Sequence, residues 1–124
     1  MKTPEVTMLN SLPNNNLIAY RIAIEAAGIT LAMVRRVPAP FKSLADQAIR
    51  AASSVPANLS EGQGRFGRDR YNHWRIAYGS AMEVDTFLRL LSRAEVIDTV
   101  QAEKAAGLFD EVRAMTWRLI HPKE

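Results

Sequence analysis

The residues that could do chemistry lie in two polar segments, 53–65 and 79–83, which interrupt otherwise apolar patterns. Glycine inside a helix costs roughly 1 kcal/mol relative to alanine, so Gly79 indicates close packing against a helix of small residues. A carboxylate between packed helices needs a partner. We therefore predict a polar brace that fixes the register of two helices, formed by Arg50, Asn58, Glu61, Arg65, Gly79, Ser80 and Glu83. The alternative is an active or ligand-binding site built on Asn58, Glu61 and Glu83.

Motifs for catalysis, cofactors and metals are missing from the sequence. The chain has no Cys, which excludes disulfides, thiolate metal sites and cysteine nucleophiles and fits a reducing compartment. A di-metal carboxylate centre in a helical bundle needs Glu-x-x-His pairs, but Arg70 and Arg118 stand three residues before the two histidines, His73 and His121. The segment Gly62-Gln63-Gly64 lacks the third glycine of a dinucleotide fingerprint. We expect no catalytic, cofactor-binding or metal-binding residue, and therefore no enzyme.

A third candidate is the segment 65–75, in which arginines alternate with aromatic residues. Arginine and aromatic side chains together can hold phosphates and stack on bases. The segment therefore offers a nucleic-acid contact formed by Arg65, Arg68, Arg70 and Arg75. We favour the competing interpretation, an exposed charged corner whose Tyr71 and Trp74 turn inward. The net charge of +3, from 16 basic and 13 acidic residues, is mild for a dedicated nucleic-acid binder.

The elements that must position these residues follow from apolar periodicity. Apolar residues recur at helical spacing in four segments separated by short breaks, which predicts an all-α, up-down-up-down antiparallel four-helix bundle. The first helix is expected to run to about Val37, before Pro38, with a core stripe of Leu17, Tyr20, Ile24, Ala27, Leu31 and Val34. The second is rich in small residues, and its Pro56 is expected to kink or break it near Val55. A flexible corner follows at Gly62, Gly64 and Gly67.

The third helix has the clearest pattern, a seam of Trp74, Ala77, Ala81, Val84, Leu88 and Leu91. Further apolar residues flank this seam. The apolar surface of this helix is therefore larger than one contact within a bundle requires. We predict that part of this apolar surface, which includes Tyr78, Phe87 and Leu90, needs a second partner. Asp98 is expected to cap the fourth helix, whose stripe is Ala105, Leu108, Val112, Met115 and Leu119.

The length of 124 residues suits one domain. We assign residues 1–16 to an irregular N-terminal lead whose asparagines cap the first helix, 17–121 to the bundle and 122–124 to a tail. The longest uncharged apolar run, Ala26–Val34, is too short to cross a bilayer, and the N-terminus lacks a signal-peptide pattern. These features predict a cytoplasmic protein without a membrane partner.

Three stretches, 47–62, 64–65 and 77–83, resemble a known family in order and separation. They are similar to the bacterial four-helix bundle proteins first noticed as products of intervening sequences in large-subunit ribosomal RNA genes. The resemblance covers roughly residues 17–121. It implies a four-helix bundle assembled as a cyclic homopentamer, and it supplies no catalytic residue. In such a homo-oligomer the predicted subunit interface is at Tyr78, Phe87 and Leu90, which each subunit would bury against the next. A related branch, the accessory variability determinant of diversity-generating retroelements, binds nucleic acid and a reverse transcriptase through a positively charged surface.

These observations together predict a non-enzymatic, self-assembling scaffold or adaptor without a cofactor. Its first partner would be another copy of itself, with RNA or a protein as a further partner. The alternative is an RNA-binding accessory protein that uses the arginine and aromatic corner.

Overall fold

The computed structural model describes residues 17–122, in which four α-helices follow one another without a β-strand. The helices are α1 (Ile18–Val34), α2 (Lys42–Gln63), α3 (Gly67–Arg93) and α4 (Thr99–Ile120), with a 3₁₀ turn at Ala39–Phe41. Both α1 and α3 pack against α2 and α4. The predicted all-α four-helix bundle is confirmed. The N-terminal lead, with its asparagine cap, lies outside the described residues.

The interior of the bundle is built mainly from alanine. Of the 21 buried apolar residues in the described chain, 12 are alanines, and they come from all four helices. Alanine adds little bulk beyond the backbone, so the helices can approach closely. The larger buried side chains, among them Leu59, Trp74 and Phe109, fill the space between these close contacts.

The core stripe predicted for α1 is wrong at Ile24 and Leu31, whereas Ala27 and Val34 are buried as predicted. The buried face of α1 instead consists of Ala19, Ala23, Ala26, Ala27, Thr30 and Val34. Ile24 and Leu31 lie on the surface, and Tyr20 is half-buried. Periodicity could not identify the inner face because α1 is apolar around most of its circumference. Its alanine face allows a closer approach to the neighbouring helices.

The break expected near Val55 does not occur, because α2 continues through the buried Pro56 to Gln63. Proline lacks the N–H that would bind the carbonyl four residues earlier, but packing between α1 and α3 holds the helix together. Gly62 therefore lies inside α2 rather than in the corner. The turn needs Gly67, whose φ of 56° is a left-handed conformation that favours glycine.

The other two helices follow the sequence pattern more closely. Every residue of the predicted α3 seam, from Trp74 to Leu91, is buried. The predicted cap of α4 is confirmed, since the Asp98 carboxylate accepts a hydrogen bond from the backbone N–H of Gln101 at 2.8 Å. The α4 stripe was only partly predicted: Ala105 and Val112 are buried, but the largest buried side chain of the helix, Phe109, lies outside the predicted stripe.

None of the helices in the described part of the chain is long and apolar enough to cross a membrane.

The glycine at which α2 and α3 pack closely is Gly62, not Gly79. A Cβ added at Gly62 would lie 2.5 Å from Nε1 and 2.6 Å from Cδ1 of Trp74. The Trp74 indole N–H donates to the Leu59 carbonyl at 3.3 Å, which keeps the ring against α2. The expected close packing at Gly79 is wrong, because that residue is exposed and an added Cβ would meet nothing within 4 Å.

The substitutions Gly62→Ala and Gly79→Ala should therefore have opposite effects on stability. We expect Gly62→Ala to lower the free energy of unfolding by about 1–3 kcal/mol, because the new methyl group displaces the Trp74 ring. Gly79→Ala should raise it by about 0.5–1 kcal/mol through helix propensity alone. Urea unfolding at matched protein concentration measures both values. Equal effects of the two substitutions would contradict the Gly62–Trp74 contact.

Candidate functional site

A polar layer crosses the interface between α2 and α3 at its centre. The Ser80 hydroxyl donates to Oγ of Ser54 at 2.8 Å, and Nδ2 of Asn58 donates to the same Oγ at 3.1 Å and to the Ser54 carbonyl at 3.0 Å. Oδ1 of Asn58 lies 2.9 Å from Nδ1 of His73. Because an amide oxygen can only accept, Nδ1 of His73 carries the proton in this pair.

Two further parts of the predicted brace stand apart from this layer. The Arg50 guanidinium of α2 forms an ion pair with Glu83 of α3, and it also binds the Gln47 side chain at 2.9 Å. Both charged side chains are solvated, so a pair of this kind contributes about 1 kcal/mol at most.

Arg65 links the end of α2 to the first turn of α3. Its guanidinium binds Glu61 at 3.1 Å and Asp69 at 2.9 Å. The hydrogen bond to Glu61, followed by that to Asp69, raises the pKa of the Arg65 guanidinium. The residues of the brace thus lie in three separate groups along α2 and α3, and Gly79 takes part in none of them.

The alternative prediction is an active or ligand-binding site at Asn58, Glu61 and Glu83. None of these three side chains is free to bind a ligand in this geometry. Each of the three side chains is engaged in the contacts just described. In residues 17–122, every buried side-chain nitrogen or oxygen has a hydrogen-bond partner. The same residues contain no group of three or more histidines and carboxylates that could hold a metal ion.

In the arginine and aromatic corner, residues 65–75, some side chains stabilise the fold and others are exposed without an ion-pair partner in the described part of the chain. Nε and an Nη of Arg70 donate to the carbonyls of Gly62 and Gln63 at 3.0 and 3.1 Å. The Gly62 carbonyl also accepts a hydrogen bond from the backbone N–H of Arg65 at 3.1 Å, so Arg70 adds a second bond there. Arg70 binds the Gln63 carbonyl at the helix end, where carbonyls lack a partner within the helix. The Arg70 guanidinium also lies 5.4 Å from the Trp74 ring centre and 5.8 Å from that of Phe66.

Of the four arginines predicted to contact nucleic acid, two therefore serve the fold. Arg65 is bound by two carboxylates, and Arg70 caps α2. Arg68 and Arg75 are exposed and have no ion-pair partner among residues 17–122. Phe66 beside them is 84% exposed, whereas Trp74 turns inward.

The three residues predicted as a subunit interface lie on two sides of α3. Phe87 is half-buried against a small core cluster that contains Val34 and Leu91, and Leu90 is exposed. Tyr78 is half-buried on the side that faces α4, where it lines a groove with Trp117. The three side chains therefore do not form one continuous surface within the protomer.

Sequence reasoning missed other exposed apolar residues. Ile24 and Leu31 on α1 were assigned to the core. Trp117 and His121 on α4 were not singled out together, although Trp117 lies off the stripe of Met115 and Leu119 and so had to face elsewhere. Their rings are stacked, with centres 4.1 Å apart and planes 26° apart.

Conservative substitution of two arginines should separate the structural from the free part of the corner. Arg70→Lys loses the planar fork that binds two carbonyls, and we expect the free energy of unfolding to fall by about 1–2 kcal/mol. Arg68→Lys, in the same corner, should change it by less than about 0.5 kcal/mol. Thermal or urea unfolding provides the comparison, and an Arg70→Lys protein as stable as the Arg68→Lys control would refute the capping role.

Comparisons with known proteins bear on the fold and the family. A structural neighbour is the 1.70 Å crystal structure of a protein with unknown function from the S23 ribosomal protein family of Bacteroides thetaiotaomicron VPI-5482. It superimposes with a TM-score of 0.76 at 24% sequence identity, over 89% of this chain and 99% of the neighbour. No curated protein matches the chain. The family model described as 23S rRNA-intervening sequence protein matches residues 15–118. This chain, whose motifs at 47–65 and 77–83 resemble that family, belongs to the 23S rRNA-intervening sequence protein family.

Proposed function

We propose that this protein is a cytoplasmic, non-enzymatic scaffold or adaptor that works as an assembly of identical subunits. The observation that carries the proposal is the presence of two rows of large apolar side chains that the protomer leaves uncovered. We name them the α1 row, Ile24 and Leu31, and the α3 row, Ile76 and Leu90.

The α1 row borders a groove against α2. Ile24 is 48% exposed and Leu31 39% exposed. Together with Pro56 and Ala57 of α2 they line an open groove of about 520 Å³. The side chains that α2 contributes to this groove are small. A side chain or a helix of another molecule can therefore contact the backbone of α2 there.

The α3 row borders α2 from the opposite side. Ile76 is 50% exposed and Leu90 48% exposed, and they stand seven residues before and after Glu83. Residues seven apart lie on one side of a helix, and Glu83 binds Arg50 of α2. The α3 row therefore lies along the α2–α3 groove.

A second copy of the chain is the partner that suits both rows. They lie on two different faces that meet at α2. A contact that joins the α1 row of one copy to the α3 row of the next uses both faces in every subunit, and such a heterologous contact closes into a ring when the rotation allows. The cyclic assembly implied by the resemblance supports the same arrangement.

A charge placed in either row should dissociate the assembly. We expect the wild-type protein to sediment as a multiple of its 13.8 kDa subunit mass. The variants Ile24→Glu and Ile76→Glu should each sediment closer to the subunit mass, because a carboxylate buried in an apolar contact loses its hydration without gaining a partner. Sedimentation velocity at micromolar concentration measures this, and circular dichroism checks that the helices persist.

The matched control is Val100→Glu. Val100 is exposed in the first turn of α4, where a carboxylate interacts favourably with the helix dipole, and it lies outside both rows. This variant should keep the wild-type mass. A wild-type protein that sediments as a 13.8 kDa monomer would refute the proposed function.

A further inference from the structure

A groove between α3 and α4 combines aromatic rings with arginines and belongs to neither apolar row. Its volume is about 850 Å³, and the residues that matter for its chemistry are Tyr78, Asp110, Arg113, Trp117, Arg118 and His121. Ligand-binding clefts in proteins have volumes of this order. The groove lies where the C-terminal part of α4 passes the middle of α3.

The ring of Trp117 contributes little to the core of the protomer. It is 49% exposed, although tryptophan is among the side chains that gain most from burial. His121 is stacked on it with ring centres 4.1 Å apart. Nδ1 of His121 lies 3.0 Å from the Trp117 carbonyl, and a carbonyl only accepts, so that nitrogen carries the proton and the imidazole is fixed beside the indole.

The charges around these rings favour an anion. Arg113 binds Asp110 at 2.9 Å, and Asp110 is the one carboxylate among residues 17–122 that lines the groove. Arg118 lines the same groove and has no ion-pair partner within residues 17–122. Arg75, also without an ion-pair partner in that part of the chain, lies three residues before Tyr78 on the same side of α3.

From this geometry we infer that the groove binds a nucleotide unit, with the base stacked on Trp117 and the phosphate held by Arg118. Aromatic side chains accept any base on their faces, and an arginine fork matches phosphate oxygens. A purely apolar partner would leave Arg118 unused, and an acidic peptide would leave the stacked rings unused. The unit can be a free mononucleotide or one residue of a single-stranded nucleic acid, since both present a base beside a phosphate.

The two tryptophans of the chain make a direct test feasible. In ¹⁵N-labelled full-length protein the Trp117 indole N–H reports on the groove, and that of Trp74, buried and bound to the Leu59 carbonyl, is an internal control. Adenosine 5′-monophosphate, adenosine and an oligoadenylate are titrated separately at low salt. We expect the Trp117 signal to shift with both phosphate-bearing probes and only weakly with adenosine, while the Trp74 signal stays in place.

Calorimetric titration compares the variants, because Trp117→Ala removes the indole that reports on the groove. Trp117→Ala and Arg118→Ala should each weaken binding of the phosphate-bearing probes at least about fivefold. Arg35→Ala, an exposed arginine at the other end of the bundle, should not. An affinity that rises with oligoadenylate length assigns the site to single-stranded nucleic acid, and an affinity equal to that of the mononucleotide assigns it to free nucleotides.

Three results would overturn the inference. The first is an unmoved Trp117 signal with all probes. The second is a response to adenosine as strong as that to the mononucleotide, with Arg118→Ala unchanged. The third is a Trp117→Ala protein that loses its assembled mass while its nucleotide response is unaltered, which would make Trp117 a contact between copies.

Discussion

The alanine-lined interior is the constraint on which the rest of the structure depends. Helices that meet through alanine approach closely, and the space between them accepts few large side chains. On α1 the inner face is taken by small residues and Val34, so Ile24 and Leu31 have no place inside. For the same reason, Ile76 and Leu90 of α3 lie on the surface of the bundle. Large apolar side chains on the surface are therefore a consequence of how the core is built, and their water-exposed area is what association with another copy can remove.

The contact between α2 and α3 shows how the small-residue helix is used. Gly62 allows the Trp74 ring to lie against the backbone of α2. Arg70 then covers that ring and binds the last carbonyls of the helix. Farther along the same pair of helices, the hydroxyls of Ser54 and Ser80 meet directly. Polar groups at this interface thus satisfy one another and fix how the two helices align.

Much of the fold could be predicted from the sequence because charged residues mark the outer side of α3 and α4. In α3, buried positions such as Ala77 and Val84 alternate with Arg75 and Asp85, so the buried seam of this helix could be predicted from the sequence. In α1, apolar residues occur on nearly every side, and the periodicity could not tell an alanine face from an isoleucine face. Glycine posed a similar problem, since Gly62 and Gly79 look alike in sequence and only the position of the Trp74 ring separates them.

The site residues were harder to predict than the helices, because the partner of an arginine depends on side-chain geometry. Arg65, Arg68, Arg70 and Arg75 stand close together in sequence, yet two of them stabilise the corner and two remain free. The groove of Trp117 and His121 required the register between α3 and α4, which no local pattern contains.

The central claim is that another copy covers the apolar rows left outside the protomer. Methyl-labelled isoleucine in the native assembly tests it most directly, with a soluble paramagnetic probe that speeds the relaxation of exposed methyl groups. Ile18, which is 62% exposed and faces away from the α1–α2 groove, is the internal reference. The account predicts that the methyl groups of Ile24 and Ile76 relax much more slowly than that of Ile18. Relaxation of all three at similar rates would contradict it.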